Sequence, residues 1–429
     1  MSAPSISRSL RRDSSWSAFS FVLIVLSGLL VNVGLAQNFG RAGLGLFNTC
    51  LSVVLILGQL GGLGINAAVA FHVPSTRSLG RNYEPILTTS LKTTFATSSV
   101  VAILFVLFVE LFIKGDTSGY QSGFRLIYVA VFLLPFNKVL TAYLNGIGDI
   151  KKAALSNAFR FILMLLFLIL LSGLGISWKF TPVIISLSEL SLLVGLLWLT
   201  RDGLSHPKES AEEKKERRRT ILGFGIRSIP AVFLLDMNTR IDVLLLSVLK
   251  GAEVVGQYTI ASTLSEGLFQ MAMVTRLVVD PRVAGLYAAG SSHQLIAFLK
   301  RHISYTYLAM VPVVIVSFFI YTPVVNLLFA KENSAGSFEV YVFLATGVLL
   351  ASGFIPLTNT LNQLGDPLGQ SLLLATLTAL NILGNLLLIP SMGAAGSALA
   401  TAFAQTMLVP LLLLFTRTRR GLRFRVKIS

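Results

Sequence analysis

The chain has 429 residues, 54% of them hydrophobic and 13% charged, with a formal net charge of +16. That proportion of apolar residues, gathered in blocks of twenty or more, excludes an ordinary soluble protein and indicates a polytopic membrane protein. A single cysteine, Cys50, excludes a disulfide framework or a thiolate metal site, and His72, His206, His293 and His302 are too scattered for a ligand set.

The first apolar stretch, FSFVLIVLSGLLVNVGLAQNFG, follows Arg8, Arg11 and Arg12 but has no convincing small-residue cleavage site, so it is read as a retained helix. Spanning length and polar punctuation predict twelve helices: 17–36, 45–72, 86–112, 121–144, 153–173, 179–200, 222–248, 255–279, 304–329, 339–361, 367–389 and 394–416. In the second, Gly58, Gly61, Gly62 and Gly64 permit close helix approach or bending. The third opens ILTTSLKTTFATSS, and its hydroxyls around Lys92 predict a hydrated wall able to exchange hydrogen bonds with sugars. After the sixth comes the longest polar stretch, 201–220, which contains KKERRR. It divides the chain into an N-terminal six-helix bundle (1–200), a cytoplasmic linker (201–220) and a C-terminal six-helix bundle with a basic cytoplasmic tail (221–429).

With the N-terminus inside, cytoplasmic segments collect 23 Lys and Arg and the opposite side five, so both termini are expected in the cytoplasm. The same asymmetry accounts for the basic tail TRTRRGLRFRVK through anionic headgroups, without a nucleic-acid partner. Seven basic residues fall inside spans: Lys92, Arg125, Lys138, Arg160, Arg227, Arg240 and Arg276. For Lys138, Arg160 and Arg276, snorkelling to headgroups is the favoured reading.

Helix seven carries DMNTRID, with Asp236 and Arg240 four apart on one face and Asp242 about 200° round from Arg240. A lipid-facing helix is not built that way, so one side faces partner helices and another a wet cavity. Pro230 bends the same helix and blurs the facing of Arg227. Helix eight has Thr259, Ser262, Glu266 and Gln270 at spacings of three and four, a polar stripe with Glu266 near its midpoint.

Two motifs occur twice. Gly45-Leu46-Phe47 lines up with Gly256-Gln257-Tyr258 at an offset of 211, and LNGIGD (144–149) with LNQLGD (361–366) at 217. The chain therefore reads as two copies of one six-helix unit, and an even number of spans per copy makes them parallel, as in transporters that rock two halves about a central site.

The stretches GRAGLGLFNTCLSVVLILGQLGGLGINAAVAFHV and RIDVLLLSVLKGAEVVGQYTIASTLSEGLFQ, the latter leading to VVDPRVAGLY, resemble the polysaccharide-biosynthesis flippases of the multidrug/oligosaccharidyl-lipid/polysaccharide exporter superfamily. The matching residues are Gly45 and Phe47, Gly256 and Tyr258, Asp242, and Pro281. The resemblance implies an all-α membrane fold of twelve helices in two bundles around a central cavity. It also implies an undecaprenyl-diphosphate-linked oligosaccharide as cargo, carried across the bacterial cytoplasmic membrane, with glycosyltransferases and a glycan polymerase as pathway partners. Such cargo needs a polar, cationic path, for which Lys92, Arg227, Asp236, Arg240, Asp242, Ser262, Glu266, Gln270 and Arg276 are the candidates. Glu266 is the candidate for ion coupling, on the expectation that burial makes it protonatable. No cofactor is expected. The cation-coupled drug antiporters of the superfamily are the alternative, although residues 17–36 lack the acid that related antiporters often use. An enzyme is disfavoured, since the outer loops are short and hold no P-loop or nucleophile elbow.

Overall fold

The computed structural model describes residues 3–114, 119–204 and 210–420. The tail beyond Arg420, residues 205–209 of the linker, and the side chains of Arg8, Arg11, Arg12 and Asp236 lie outside the described residues. Lipid offers the backbone no hydrogen bonds, so apolar segments must satisfy their own N–H and C=O groups. Accordingly all regular structure among the described residues is helical. In chain order the helices are α1 (Ala3–Gly62), α2 (Ile65–Ser78), α3 (Glu84–Phe112), α4 (Tyr120–Leu126), α5 (Tyr128–Gly146), α6 (Ile150–Gly173), α7 (Val183–Thr200) and α8 (Ala211–Lys250). They continue as α9 (Ala252–Met273), α10 (Arg276–Ala288), α11 (Ser292–Phe329), α12 (Lys331–Ser334), α13 (Ser337–Ala351), α14 (Thr360–Gln363), α15 (Pro367–Met392) and α16 (Ala394–Arg420).

Among the described residues, eight helices are long and apolar enough to cross a membrane. One of them, the apolar run Phe19–Gly62 within α1, has 44 residues. At 1.5 Å per residue it is about 66 Å long, twice the ~30 Å hydrocarbon core, and so must cross twice. It breaks at Gly40, whose φ of 67° and ψ of −171° are not helical. Two hundred and eleven residues on, Gly251 has φ 86° and ψ 177° and separates α8 from α9 in the same way. The duplicated turn therefore pivots five residues before the repeated triplet.

The second motif is duplicated to the level of single hydrogen bonds. In the first copy Gly148 has φ 81°, Gly148 N donates to Asn145 O (3.0 Å) and Asp149 N to Leu144 O (2.9 Å). In the second, Gly365 has φ 71°, with Gly365 N to Asn362 O (3.0 Å) and Asp366 N to Leu361 O (2.8 Å). The left-handed glycine closes one helix. The aspartate then caps the next, Asp149 accepting from Lys152 N at 3.3 Å and Asp366 from Gly369 N at 2.9 Å.

The chain divides into two compact units, Met1–Asp236 and Met237–Ser429. In the first, Ile65, Val69, Leu140, Leu144, Leu196 and Ile221 belong to a core shared by α2, α5, α7 and the start of α8. In the second, Val279, Leu295, Leu361, Leu373 and Leu412 join α10, α11, α14, α15 and α16. Several expected boundaries shift: the second span breaks at Leu63 and Gly64, the fourth at Ile127, and the tenth stops at Ala351 before a 3-10 turn (Ile355–Leu357) and α14. α8 starts at Ala211, so the last ten residues of the linker are helical, capped by a box in which Ser210 N and Oγ donate to Glu213 Oε2 (2.9 and 3.0 Å). α9, expected as the eighth span, ends at Met273, because the chain turns at Val274 and Thr275 before α10, and among the described residues neither it nor α8 meets the length and apolarity of the eight crossing helices.

Candidate functional site

Asp242, on α8, is buried and accepts four hydrogen bonds. Tyr258 Oη of α9 donates at 2.9 Å, Asn381 Nδ2 and Asn385 Nδ2 of α15 at 2.9 and 3.0 Å, and Thr401 Oγ1 of α16 at 2.8 Å. Ser397 Oγ extends the network, donating to Asn385 Oδ1 at 2.6 Å. All four partners of the carboxylate are neutral. A charge taken out of water inside an apolar helix bundle is costly, and neutral donors solvate it without cancelling it. What cancels it is a proton or a small cation, and either can come and go. Among the described residues no three His, Cys, Asp or Glu side chains converge, so the group is one carboxylate set in hydroxyls and amides.

In the repeat read from the sequence, the first copy has no counterpart of this cluster. At an offset of 211, Asp242 and Tyr258 correspond to Val31 and Phe47; at 217, Asn381 and Asn385 correspond to Met164 and Leu168. All eight residues are buried, none more than 6% exposed. One copy closes its core at these four places with hydrocarbon, while the other places a carboxylate, a phenol and two amides there.

The first unit holds a different buried acid. Glu189 of α7 pairs with Arg160 of α6, Nε to Oε1 at 2.8 Å, and Asn137 Nδ2 of α5 donates to its Oε2 at 2.7 Å. Arg160, expected to snorkel, is thus turned inward by a carboxylate. Lys138 Nζ likewise donates to the buried Gln59 at 2.7 Å.

The remaining candidates are dispersed. Arg240 is half-buried, two residues before Asp242; Lys92 and Arg227 are exposed, while Ser262 and Gln270 are half-buried. Glu266 is exposed, which removes the burial on which its role as proton carrier rested. Arg276 lies outside the eighth span, at the start of α10, and pairs with Asp280 at 3.0 Å. The stripe on α9 spends its hydroxyls locally, Thr259 on Val255 O (2.8 Å) and Ser262 on Thr259 O (3.2 Å). On α3 the hydrated wall gives way to packing: Ser90, Thr93, Thr94 and Ser98 are buried, and Thr97 Oγ1 donates to Gly61 O of α1 at 2.6 Å. Sequence reasoning found Asp242 and Tyr258 but missed Asn381, Asn385, Ser397 and Thr401. The available signal was the pair of asparagines four apart in NILGN, which places two amides on one face of an apolar helix.

A multi-pass helical fold in two compact units, one of which buries an acid bonded to neutral groups, defines a polytopic helical membrane protein. By sequence, residues 10–284 match the polysaccharide biosynthesis protein family, to which this chain belongs. Over 150 residues the chain is 31% identical to the Lipid III flippase of Escherichia coli (strain K12), and to that of Shigella flexneri, a match covering 34% of this chain and 36% of either relative. The chain thus spans about a third of the length of those relatives. By fold it is similar to the lipid II flippase MurJ in its inward closed conformation, with a TM-score of 0.76 at 15% identity over 94% of this chain and 87% of that one. It is also similar to an inward-facing multidrug resistance MATE transporter of the MOP superfamily, with a TM-score of 0.72 at 16% identity over 94% and 96%.

Proposed function

We propose that this protein is a flippase that moves an undecaprenyl-diphosphate-linked oligosaccharide repeat unit across the bacterial cytoplasmic membrane by alternating access. The observation that carries the reading is membership of the polysaccharide biosynthesis family together with the 31% identity to a lipid III flippase. The 23-to-5 asymmetry of basic residues supports an orientation with both termini and the 201–220 linker in the cytoplasm. In this reading the two six-helix halves rock about a central cavity in which Lys92, Arg227 and Arg240 meet the diphosphate, and the chain transports without altering its cargo. Glycosyltransferases and a polymerase would act before and after it. Ion coupling is assigned to Asp242, whose bonded neighbours are all neutral, in place of Glu266.

Purified protein in proteoliposomes carrying a fluorescent undecaprenyl-diphosphate oligosaccharide tests the proposal. Gradient-dependent appearance of the glycan on the opposite face is the expected result, and no movement above protein-free vesicles sinks it. For the orientation, a cysteine at Ser210 in a Cys50→Ser background should resist impermeant reagents added to intact cells; labelling from outside reverses the topology.

A further inference from the structure

The polar start of α8 serves no span, yet it is built and anchored. Below its capping box, Phe224 stacks on Phe71 of α2 with ring centroids 4.9 Å apart. One residue further, Gly225 meets Leu63 and Gly64 so closely that a side chain there would strike the Leu63 carbonyl. These contacts hold the first turns of α8 over the end of α2 and the connection to α3. Between them opens a pocket of about 360 Å³.

Arg81 and Arg217 line this pocket from its two sides, with Asn82, Glu216 and Thr220. Its His72 stands edge-on to Phe224 (5.3 Å), and the ring Nε2 is buried without a hydrogen-bond partner. Glu213, also in the lining, already accepts from Ser210. The lining is mixed in a specific way. Two guanidiniums fit a phosphate, which they can hold through paired N–H groups. A carboxylate beside an amide and a hydroxyl fits sugar hydroxyls, which donate to the first and accept from the others. A bare anion would be repelled by Glu216, and a neutral sugar would not engage the positive charge that Arg81 and Arg217 bring to the lining.

We propose that this pocket binds a phosphate ester bearing free hydroxyls, at the level where α2 and α8 leave the membrane. The ligand stays chemically unchanged. On the flippase reading, on which this source rests, it is the sugar diphosphate head of the cargo, captured at the cytoplasmic face before entering the transport path. The same chemistry could come from a glycerophospholipid headgroup or a soluble sugar phosphate.

The test is equilibrium protection of a cysteine at the half-buried Thr76, which lines the pocket without a ligand role, in Cys50→Ser protein held in phosphatidylcholine nanodiscs and reacted with a water-soluble maleimide. Three probes are compared: undecaprenyl diphosphate N-acetylglucosamine, phosphatidylglycerol, and glucose 1-phosphate in solution. At about four times its Kd, a probe should slow labelling about fivefold. Arg81→Gln with Arg217→Gln should abolish the protection, and the paired Lys variants should keep part of it, since charge survives without the fork. Strongest protection by the undecaprenyl probe supports the cargo source. Equal protection by phosphatidylglycerol or glucose 1-phosphate supports the site and moves its source to bulk lipid or the cytosol. No protection by any probe, or protection indifferent to both arginines, overturns the proposal. Because no flipping is measured, a chain that binds but does not flip fails the transport reading alone, and one that flips without protection fails the pocket alone.

Discussion

Glu189 in the first unit and Asp242 in the second are both buried among apolar helices, and the two are accommodated in opposite ways. Glu189 has Arg160 at 2.8 Å, a partner fixed by the covalent chain. Asp242 has a phenol, two amides and a hydroxyl, none of which carries charge. A permanent counter-charge makes an acid part of the scaffold, whereas neutral donors leave the compensating charge to be supplied from outside. On the proposed ion coupling, the difference separates an acid that holds helices together from one that responds to the ionic conditions of the compartment it meets.

The comparison is broken most sharply at Asp242. Asp242→Asn should remove the response of flipping to an imposed ion gradient and slow transport by about two orders of magnitude, some 2.7 kcal/mol, with little loss of thermal stability. A variant that still follows the gradient would show Asp242 to be scaffold as well. At Glu189 the effect should fall on stability: Arg160→Leu leaves a lone buried carboxylate and should cost about 3–5 kcal/mol, seen as a lower melting temperature in detergent. Adding Glu189→Leu should recover most of the loss, and failure to recover would mean that the pair contributes more than charge balance.

A smaller effect is expected when the second unit is rewritten as the first. Asp242→Val, Tyr258→Phe, Asn381→Met and Asn385→Leu together restore the apolar set of Val31, Phe47, Met164 and Leu168. Tyr258→Phe alone should cost about 1–3 kcal/mol, because Asp242 loses a donor, whereas the fourfold variant should fold within about 1.5 kcal/mol of wild type and not transport. The smallest effect belongs to a surface acid that serves as control. Two hydrogen bonds from Ser210 hold the Glu213 carboxyl below its ordinary value. Its contribution to the start of α8 is therefore complete above the unfolded value of about 4.3 and fades as pH falls through the lower folded one. Hydrogen exchange of the amides of 211–216 should accelerate over that window relative to the intrinsic rate, and Glu213→Gln should flatten the profile.

The all-helical fold was legible because hydrocarbon permits little else, and the duplication because turns are written in local chemistry. LNGIGD and LNQLGD announce a left-handed glycine and a capping aspartate to any reader of six residues. Asp242 and Tyr258 were legible too, as polar departures from Val31 and Phe47. Their partners were not, since Asn381 and Thr401 lie 139 and 159 residues from Asp242 and no local pattern joins them. The stripe of α9 misled for a related reason. Period gives the face a residue occupies but not what covers it, and the exposed Glu266 shares its stripe with the buried Thr259.

The same separations set a schedule during synthesis. Arg160 is made 29 residues before Glu189, so that acid enters the membrane with its counter-charge already in place. Asp242 comes first in its own cluster, eight residues before the end of α8, and an aspartate in a membrane helix costs up to about 3 kcal/mol to insert. Tyr258 follows 16 residues later, but the amides are 139 and 143 residues away. At roughly 5–20 residues per second the ribosome takes about 7–30 s to deliver them. Throughout that interval the nascent helix holds its acid with one phenol and whatever the insertion machinery provides, so the delay falls on α8.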